Sequence, residues 1–299
     1  MFSYIARSKR IVGGRTIVFI FGGYDGISST YKSVIQRYDG TNISTDAATL
    51  ASVITSHSTS AIGSNSFIFG GDDTTAPLNT IQKYTGTTRS TVNILYSVNR
   101  YSSSCTIGSN AFIFGGYGAT TALNTIQRYD GTTRSTDSST LTSPAIHHSS
   151  CTIGSNAFIF GGYDGATNAS SRIQRYDGTT RLTDSSTLTS PAIYHSSCTI
   201  GSNAFIFGGN DNVSSGTKSN TIQRYDGTTR SIDSATLASV NINSSAATIG
   251  SNAFIFGGYS STYLNTIQKY DGTTRSTDSS SMSTSLTQVN ACLTTDSYS

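Results

Sequence analysis

Four histidines, His57, His147, His148 and His195, have the widest chemical repertoire near neutral pH in this chain, and all four sit at one point of a repeating frame. His57, His148 and His195 each stand three residues before one repeat position. His147 stands four before it, where other copies carry Tyr101, Tyr194, Asn243 and Gln288. Neutral imidazoles and phenols offer donors, acceptors and flat apolar surfaces, which suits a sugar or a peptide better than an anion. Asp25, Asp72, Asp164 and Asp211 lie in segments expected nearby, with Asp73 beside Asp72. The candidate ligand-binding set is therefore His57, Tyr101, His147, His148, Tyr194 and His195 with these four aspartates. An ordinary histidine pKa near 6.5 would make binding respond to pH between about 5 and 7. The plainer reading is that the histidines and tyrosines only cap strands.

Other chemistries fit these residues less well. A metal ion needs three ligands within about 2 Å, and His57, His148 and His195 fall in three different repeats. Hydrolysis needs paired carboxylates or an activated nucleophile. Adjacent side chains such as Asp72 and Asp73 point apart on extended backbone, and serine is too frequent for any Ser-His-Asp spacing to be diagnostic. No catalytic residue, metal or cofactor is expected.

The frame that positions these residues is read from the glycines. F-I-F-G-G or a near relative ends at Gly23, Gly71, Gly116, Gly162, Gly209 and Gly258, at intervals of 48, 45, 46, 47 and 49 residues. From each of these glycines to the isoleucine of the next I-Q-[RK]-Y run the gap is 12, 10, 10, 11, 13 and 9 residues. Removing the first five gaps leaves a frame of 36, 35, 36, 36 and 36 residues. One loop varies and the rest is constant, apart from a deletion in the second copy around T-V-N-I-L-Y.

Each copy holds four short runs rich in β-branched and aromatic residues, separated by turn residues. In the fourth copy these are expected at residues 148–153, 157–161, 172–176 and 179–183. G-S-N joins the first pair and Y-D-G-T the last, with Asp-Gly supplying the positive φ of a tight hairpin. The double glycine marks close approach of a neighbouring backbone. A lone four-stranded sheet cannot bury both faces, so six of them predict an all-β, six-bladed propeller. First strands then line the central channel, and the histidines and tyrosines ring one mouth. Variable loops share that face, with G-S-N and Y-D-G-T on the other.

Hydrophobic run, Gly-Gly, variable loop and a strand ending in Tyr-Asp resemble the kelch repeat, over roughly residues 11–295. Where kelch repeats usually carry Trp, this chain has Thr136, Thr183, Ile232 and Thr277, so packing between blades falls to Phe, Ile and Leu50, Leu141, Leu188, Leu237 or Met282. The resemblance implies a ring closed by a strand from one terminus. The spacing of 14 residues from Asp137 to Cys151 and from Asp184 to Cys198 recurs from Asp278 to Cys292, so residues 289–294 are expected to complete blade 1. Residues 1–10 are then surplus, either a loose arm or a strand donated to a neighbouring molecule. Galactose oxidase, a kelch-like enzyme, binds copper through Tyr and His, and its ligand set has no counterpart here.

Cys105, Cys151, Cys198 and Cys292 share one rung with Ser60 and Ala247, which predicts a small buried site with free thiols rather than disulfides or a metal. Composition narrows the rest. The chain has 299 residues, 16 acidic groups that are all Asp, no Trp and a net charge of +3. Fourteen Arg and five Lys are spread without a basic stripe, which argues against nucleic acid. No apolar run reaches a membrane span and residues 1–10 lack the core of a signal peptide, giving the expectation of a cytoplasmic protein or part of an assembled particle. The function expected is a non-enzymatic binding or scaffold propeller that meets a protein or carbohydrate through its variable loops. The alternatives are a self-assembling structural protein, through residues 1–10 or the constant face with its recurring R-Y-D-G-T-T-R hairpin, and a kelch-like carbohydrate-active enzyme.

Overall fold

The computed structural model describes residues 16–166, 169–212 and 216–295. Six four-stranded antiparallel sheets follow one another along the chain, one for each copy of the frame. In blade 4 the strands run outward from the channel as Ser149–Ile153, Asn156–Phe160, Arg172–Tyr176 and Arg181–Thr187. The outermost strand is longer and starts later than its sequence suggested, because Gly178, at φ 100°, and Asp177 consume residues 177–180 in the turn. A bulge opposite Arg172–Gln174 then absorbs two further residues.

Blade 1 is assembled from both ends of the described chain. Its innermost strand is Asn290–Thr295, antiparallel to Thr16–Phe21, with Phe19 opposite Cys292 just as Phe158 is opposite Cys151 in blade 4. Thr16–Phe21 in turn pairs with Val34–Tyr38, and that strand with Ile43–Thr49. The ring is thus closed by the C-terminal strand. A further three-stranded patch of Tyr24–Asp25, Thr30–Tyr31 and Leu286–Thr287 secures the same junction on the loop face. Residues 1–10, the surplus arm expected from the sequence, lie outside the described residues.

Apolar burial lies between the blades. In a representative interface Phe158, Phe160 and Leu188 of blade 4 meet Ala204, Ile206 and Tyr225 of blade 5, all nearly inaccessible to solvent. Each Tyr of the I-Q-[RK]-Y run takes edge-on contacts from two Phe rings of the preceding blade, at 5.0–6.1 Å. Edge-to-face aromatic packing adds to plain area burial, and this three-ring cluster recurs at all six blade interfaces. The neighbouring Gln also crosses the interface. Gln174 Oε1, for example, accepts the Thr142 backbone N–H at 2.9 Å, and the same bond recurs in all six blades.

The double glycine is required by both conformation and space. The first member has φ of 53–63° and the second 98–105° in every blade. A Cβ on the first would lie 2.1–2.5 Å from a backbone carbonyl oxygen in the segment leading into the next blade. No side chain can replace hydrogen there without moving backbone.

Five of the six buried tyrosines donate from their hydroxyl to an aspartate of the preceding blade's outer strand: Tyr38 to Asp278 at 2.6 Å, Tyr84 to Asp46 and Tyr270 to Asp233 at 2.5 Å, Tyr176 to Asp137 and Tyr225 to Asp184. Blade 2 lost this Asp with its deletion, and Tyr129 is left with a buried hydroxyl that has no partner. Tyr176→Phe should therefore cost about 1–2 kcal/mol, since Asp137 loses a donor, whereas Tyr129→Phe should be neutral to within about 0.5 kcal/mol. Urea titration of both variants checks the difference, and equal losses would mean that the hydroxyl contributes nothing.

Candidate site at the channel mouth

The segment leading into each inner strand turns through one residue in the left-handed region. These residues are Ser56, Tyr101, His147, Tyr194, Asn243 and Gln288, with φ of 54–59°. For a residue with a β-carbon this conformation costs about 1–2 kcal/mol, and here it occurs six times at equivalent positions. It is held by a closed circle of backbone hydrogen bonds. Each of these N–H groups donates to the carbonyl of its counterpart in the preceding blade, at 2.8–3.4 Å, and the circle closes from Ser56 N–H to Gln288 O.

Side chains of this circle line a cavity of about 100 Å³. Its composition is uneven. Blades 3, 4 and 5 contribute Tyr101, His147 and Tyr194, whose rings follow one another with centroids 4.2 Å apart at both steps. Blades 6, 1 and 2 contribute two carboxamides and a hydroxyl, from Asn243, Gln288 and Ser56. Gln288 Oε1 accepts from Thr55 Oγ1 at 2.8 Å. The Arg100 guanidinium lies 5.4 Å from the Tyr101 ring centre and 5.2 Å from that of Tyr117. Burial holds the Tyr101 and Tyr194 phenols above their usual range.

His57, His148 and His195 lie one residue further in and are buried. Their β-carbons pack on the second glycine of their own blade, Gly71, Gly162 and Gly209, where an added Cβ would come within 2.9 Å. His195 Nε2 lies 3.1 Å from Phe160 O, and His148 faces the equivalent Phe114 backbone. Burial pushes the imidazoles of His57 and His148 down to about 3 and that of His195 to about 4. His147, between its two tyrosines, is likewise lowered by burial and then by His148 and Arg100. The pH response expected between 5 and 7 is therefore overturned for the folded protein, whose histidines stay neutral there. Below the mouth the channel is lined by serines, among them Ser103, Ser149 and Ser196.

Structure and sequence agree on the company of His57, Tyr101, His147, His148, Tyr194 and His195, which all line the mouth. The four aspartates do not line the mouth: three cap their own loops, and Asp72 pairs with Arg100 of the segment entering blade 3. Asp25 accepts from Ser28 Oγ at 2.7 Å and pairs with Lys32 at 3.1 Å. Asp72 holds Arg100 at 2.9 Å, while its neighbour Asp73 accepts the Thr75 and Ala76 N–H groups. Asp164 accepts from Ala166 N–H at 2.9 Å and Asp211 from Thr217 N–H at 2.7 Å. Turn capping of this kind is the ordinary role of Asp after a strand. Among the described residues no three of His, Cys, Asp and Glu group as a metal site. The four cysteines are free and buried, and burial raises their thiols, to about 11 for Cys105 and about 12 for Cys198 and Cys292.

Sequence reasoning missed a second concavity on the same face. Tyr24 and Tyr31 of the blade 1 loop and Tyr259 and Tyr263 of the blade 6 loop line a cleft of about 400 Å³ that shares Asn243 and Gln288 with the mouth. The one available signal was a Tyr directly after Gly-Gly with a second Tyr a few residues on, which only these two loops have.

A family model described as the KLHDC2/KLHL20/DRC7 Kelch-repeats domain matches residues 103–288, from the inner strand of blade 3 to the last residue of the hydrogen-bonded circle. No curated protein matches the chain.

Proposed function

This chain belongs to the kelch-repeat family, and from that membership together with its channel mouth we propose that it is a non-catalytic binding propeller that holds a partner on the variable-loop face. The observation that carries the reading is the circle of six left-handed residues. Strained non-glycine backbone persists only where the surroundings over-determine it, and it concentrates at sites of recognition. Here it presents three closely spaced, mutually tilted aromatic rings to one side of the mouth and uncharged amide and hydroxyl groups to the other. Nothing in that arrangement activates a nucleophile: the imidazoles lack carboxylate partners, and the loop aspartates are held by their own turns or, for Asp72, by Arg100.

Kelch-repeat propellers typically act as protein-interaction scaffolds, and the partner assigned to the mouth is an uncharged, aromatic-compatible segment of another protein. A cavity of about 100 Å³ admits one side chain or turn, with the surrounding loops supplying the remaining area. A carbohydrate, the other partner class these loops suit, has its better match in the tyrosine cleft.

Affinity capture with three immobilised proteins tests the reading: the parent, a Tyr101→Ala/Tyr194→Ala variant, and an Arg134→Ala/Arg181→Ala variant on the opposite face. The species retained by the parent should fall at least tenfold, about 1.4 kcal/mol, in the tyrosine variant and persist in the arginine one. The reverse pattern would place the working surface on the constant face.

A further inference from the structure

We infer that the cleft between blades 6 and 1 is a binding site for a neutral saccharide, formed by Tyr24, Tyr31, Tyr259 and Tyr263 with the carboxamides of Asn243 and Gln288. The inference goes beyond the partner assigned to the mouth, and rests only on the loop face being a binding face.

The cleft is built, in that its rings hold one another from two blades. Tyr24 meets Tyr31 at 5.6 Å and Tyr263 at 5.9 Å, and Tyr259 meets Tyr263 at 5.0 Å, all steeply inclined. Gly26 of the blade 1 loop forms the seat of Tyr263, since a Cβ there would fall 2.0–2.2 Å from three carbons of that ring. The paired strands Tyr24–Asp25 and Leu286–Thr287 fix the floor. Loop aromatics locked in this way lose little freedom when a ligand arrives.

The tyrosine hydroxyls of the cleft are placed differently from their counterparts in other blades. Tyr117 and Tyr163 occupy the same position after Gly-Gly in blades 3 and 4, and their hydroxyls donate to their own loop carbonyls, Thr120 O at 2.8 Å and Ala166 O at 2.7 Å. Among the described residues the hydroxyls of Tyr24, Tyr31, Tyr259 and Tyr263 have no such partner, nor does the Asn243 carboxamide. Each phenol both donates and accepts, and a carboxamide does the same from one plane.

Charge then decides the ligand class. No ionisable group other than the phenols lines the cleft. The cations nearby are already engaged: Lys218 donates to Ser260 O at 2.6 Å and lies 4.3 Å from the centre of the Tyr259 ring, and Lys32 pairs with Asp25. Phosphate, sulfate and uronate ligands are thus disfavoured. A pyranose presents an apolar C–H face for an aromatic ring and a rim of hydroxyls that both donate and accept, which matches this set group for group. A volume of about 400 Å³ accepts a mono- or disaccharide. Proline-rich peptide also docks on aromatic residues, but along open grooves. Here the four rings face one another from two loops, Tyr24 meeting both Tyr31 and Tyr263.

The test is a neutral-glycan array followed by saturation-transfer NMR titration of cellobiose, maltose and lactose, with a proline-rich decapeptide as the competing probe. At least one neutral sugar should bind saturably, and Tyr263→Ala should weaken it at least tenfold. Gly26→Ala should do likewise by displacing Tyr263 without replacing any lining residue, so a fold defect in one variant does not decide the outcome. Tyr101→Ala/Tyr194→Ala should leave sugar affinity unchanged while it weakens capture at the mouth at least tenfold. Absence of any array signal, sugar binding indifferent to both cleft variants, or saturable binding of the decapeptide in place of sugars would each overturn the inference. Capture at the mouth that survives such a result would show that only the cleft had been misread.

Discussion

Lowering the pH from 7 to 5 should remove about 6 kcal/mol of folding stability, most of what a domain of ordinary stability has. The main source is three buried imidazoles; His147, also lowered but partly exposed at the mouth, is screened by solvent and contributes less. In the unfolded chain His57, His148 and His195 take up protons near pH 6.5. In the folded chain burial lowers their pKa values to about 3, 3 and 4. The folded state therefore binds fewer protons, and the effect is absent above pH 7. It grows as pH falls below 6.5, and saturates only below the folded values. Each imidazole contributes about 1.4 kcal/mol per pH unit in that window, or about 2 kcal/mol by pH 5.

The carboxylates act in a separate range. Asp130 is held at about 2 by the Thr133 hydroxyl and by the Thr133 and Thr132 N–H groups, and Asp177, Asp226 and Asp271 are lowered in the same way. Their stabilisation is intact above about pH 4 and is lost only below it. Urea titrations at pH 7, 6 and 5 should show the decline. A His148→Ser/His195→Ser variant, which adopts the residue present at Ser102 and Ser244, should flatten the slope by about half or more whatever its stability at pH 7. Stability that stays level from pH 7 to 5 would mean that water reaches these rings and that they titrate normally.

Why the ring of site residues was legible and its depth was not follows from what spacing encodes. A constant offset from the Cys rung places His57, Tyr101, His147, His148, Tyr194 and His195 at one height of six equivalent strands, so their assembly needs only the repeat. Which of them faces the opening depends on a single backbone angle. A residue at φ near 57° throws His147 outward and leaves His148 inside, and neither Tyr nor His is a residue whose sequence announces that angle. The same limit applied to the outer strands. Ser and Thr fit strand or turn almost equally, so residues 179–180 passed for strand until the Asp177 cap placed them in the turn. The tyrosine cleft was hidden for another reason. Tyr24 and Tyr263 lie at opposite ends of the chain and meet only because the ring closes. The loop aspartates show the converse error: proximity to a face says nothing of direction, and three of the carboxylates cap nearby backbone N–H groups while Asp72 pairs with Arg100.

Removing residues 288–299 should leave an insoluble or unfolded protein, because this one segment performs three tasks. Its strand supplies the whole inner edge of blade 1, six residue pairs from Phe21–Asn290 to Thr16–Thr295, and without it Thr16–Phe21 becomes a long apolar edge open to association. Val289 and Cys292 are buried in the two interfaces that flank blade 1, one with Phe254 and Met282, the other with Phe19 and Ile54, and each such side chain is worth about 1.5–3 kcal/mol of burial. Gln288 closes the circle of backbone hydrogen bonds, so its loss frees the Ser56 N–H and leaves the Asn243 carbonyl without its donor. The decisive comparison is a circular permutant that keeps every one of these contacts. Thr295 stands opposite Thr16 as Ile153 stands opposite Asn156, and in blade 4 the latter pair is joined by Gly154 and Ser155. Linking residue 295 to residue 16 through Gly-Ser, with new termini opened after Met282, should give a blade 1 like the other five and a melting temperature equal to or above the parent's. A permutant that fails to fold, or a truncated chain that melts like the parent, would show that the C-terminal strand does not close the ring.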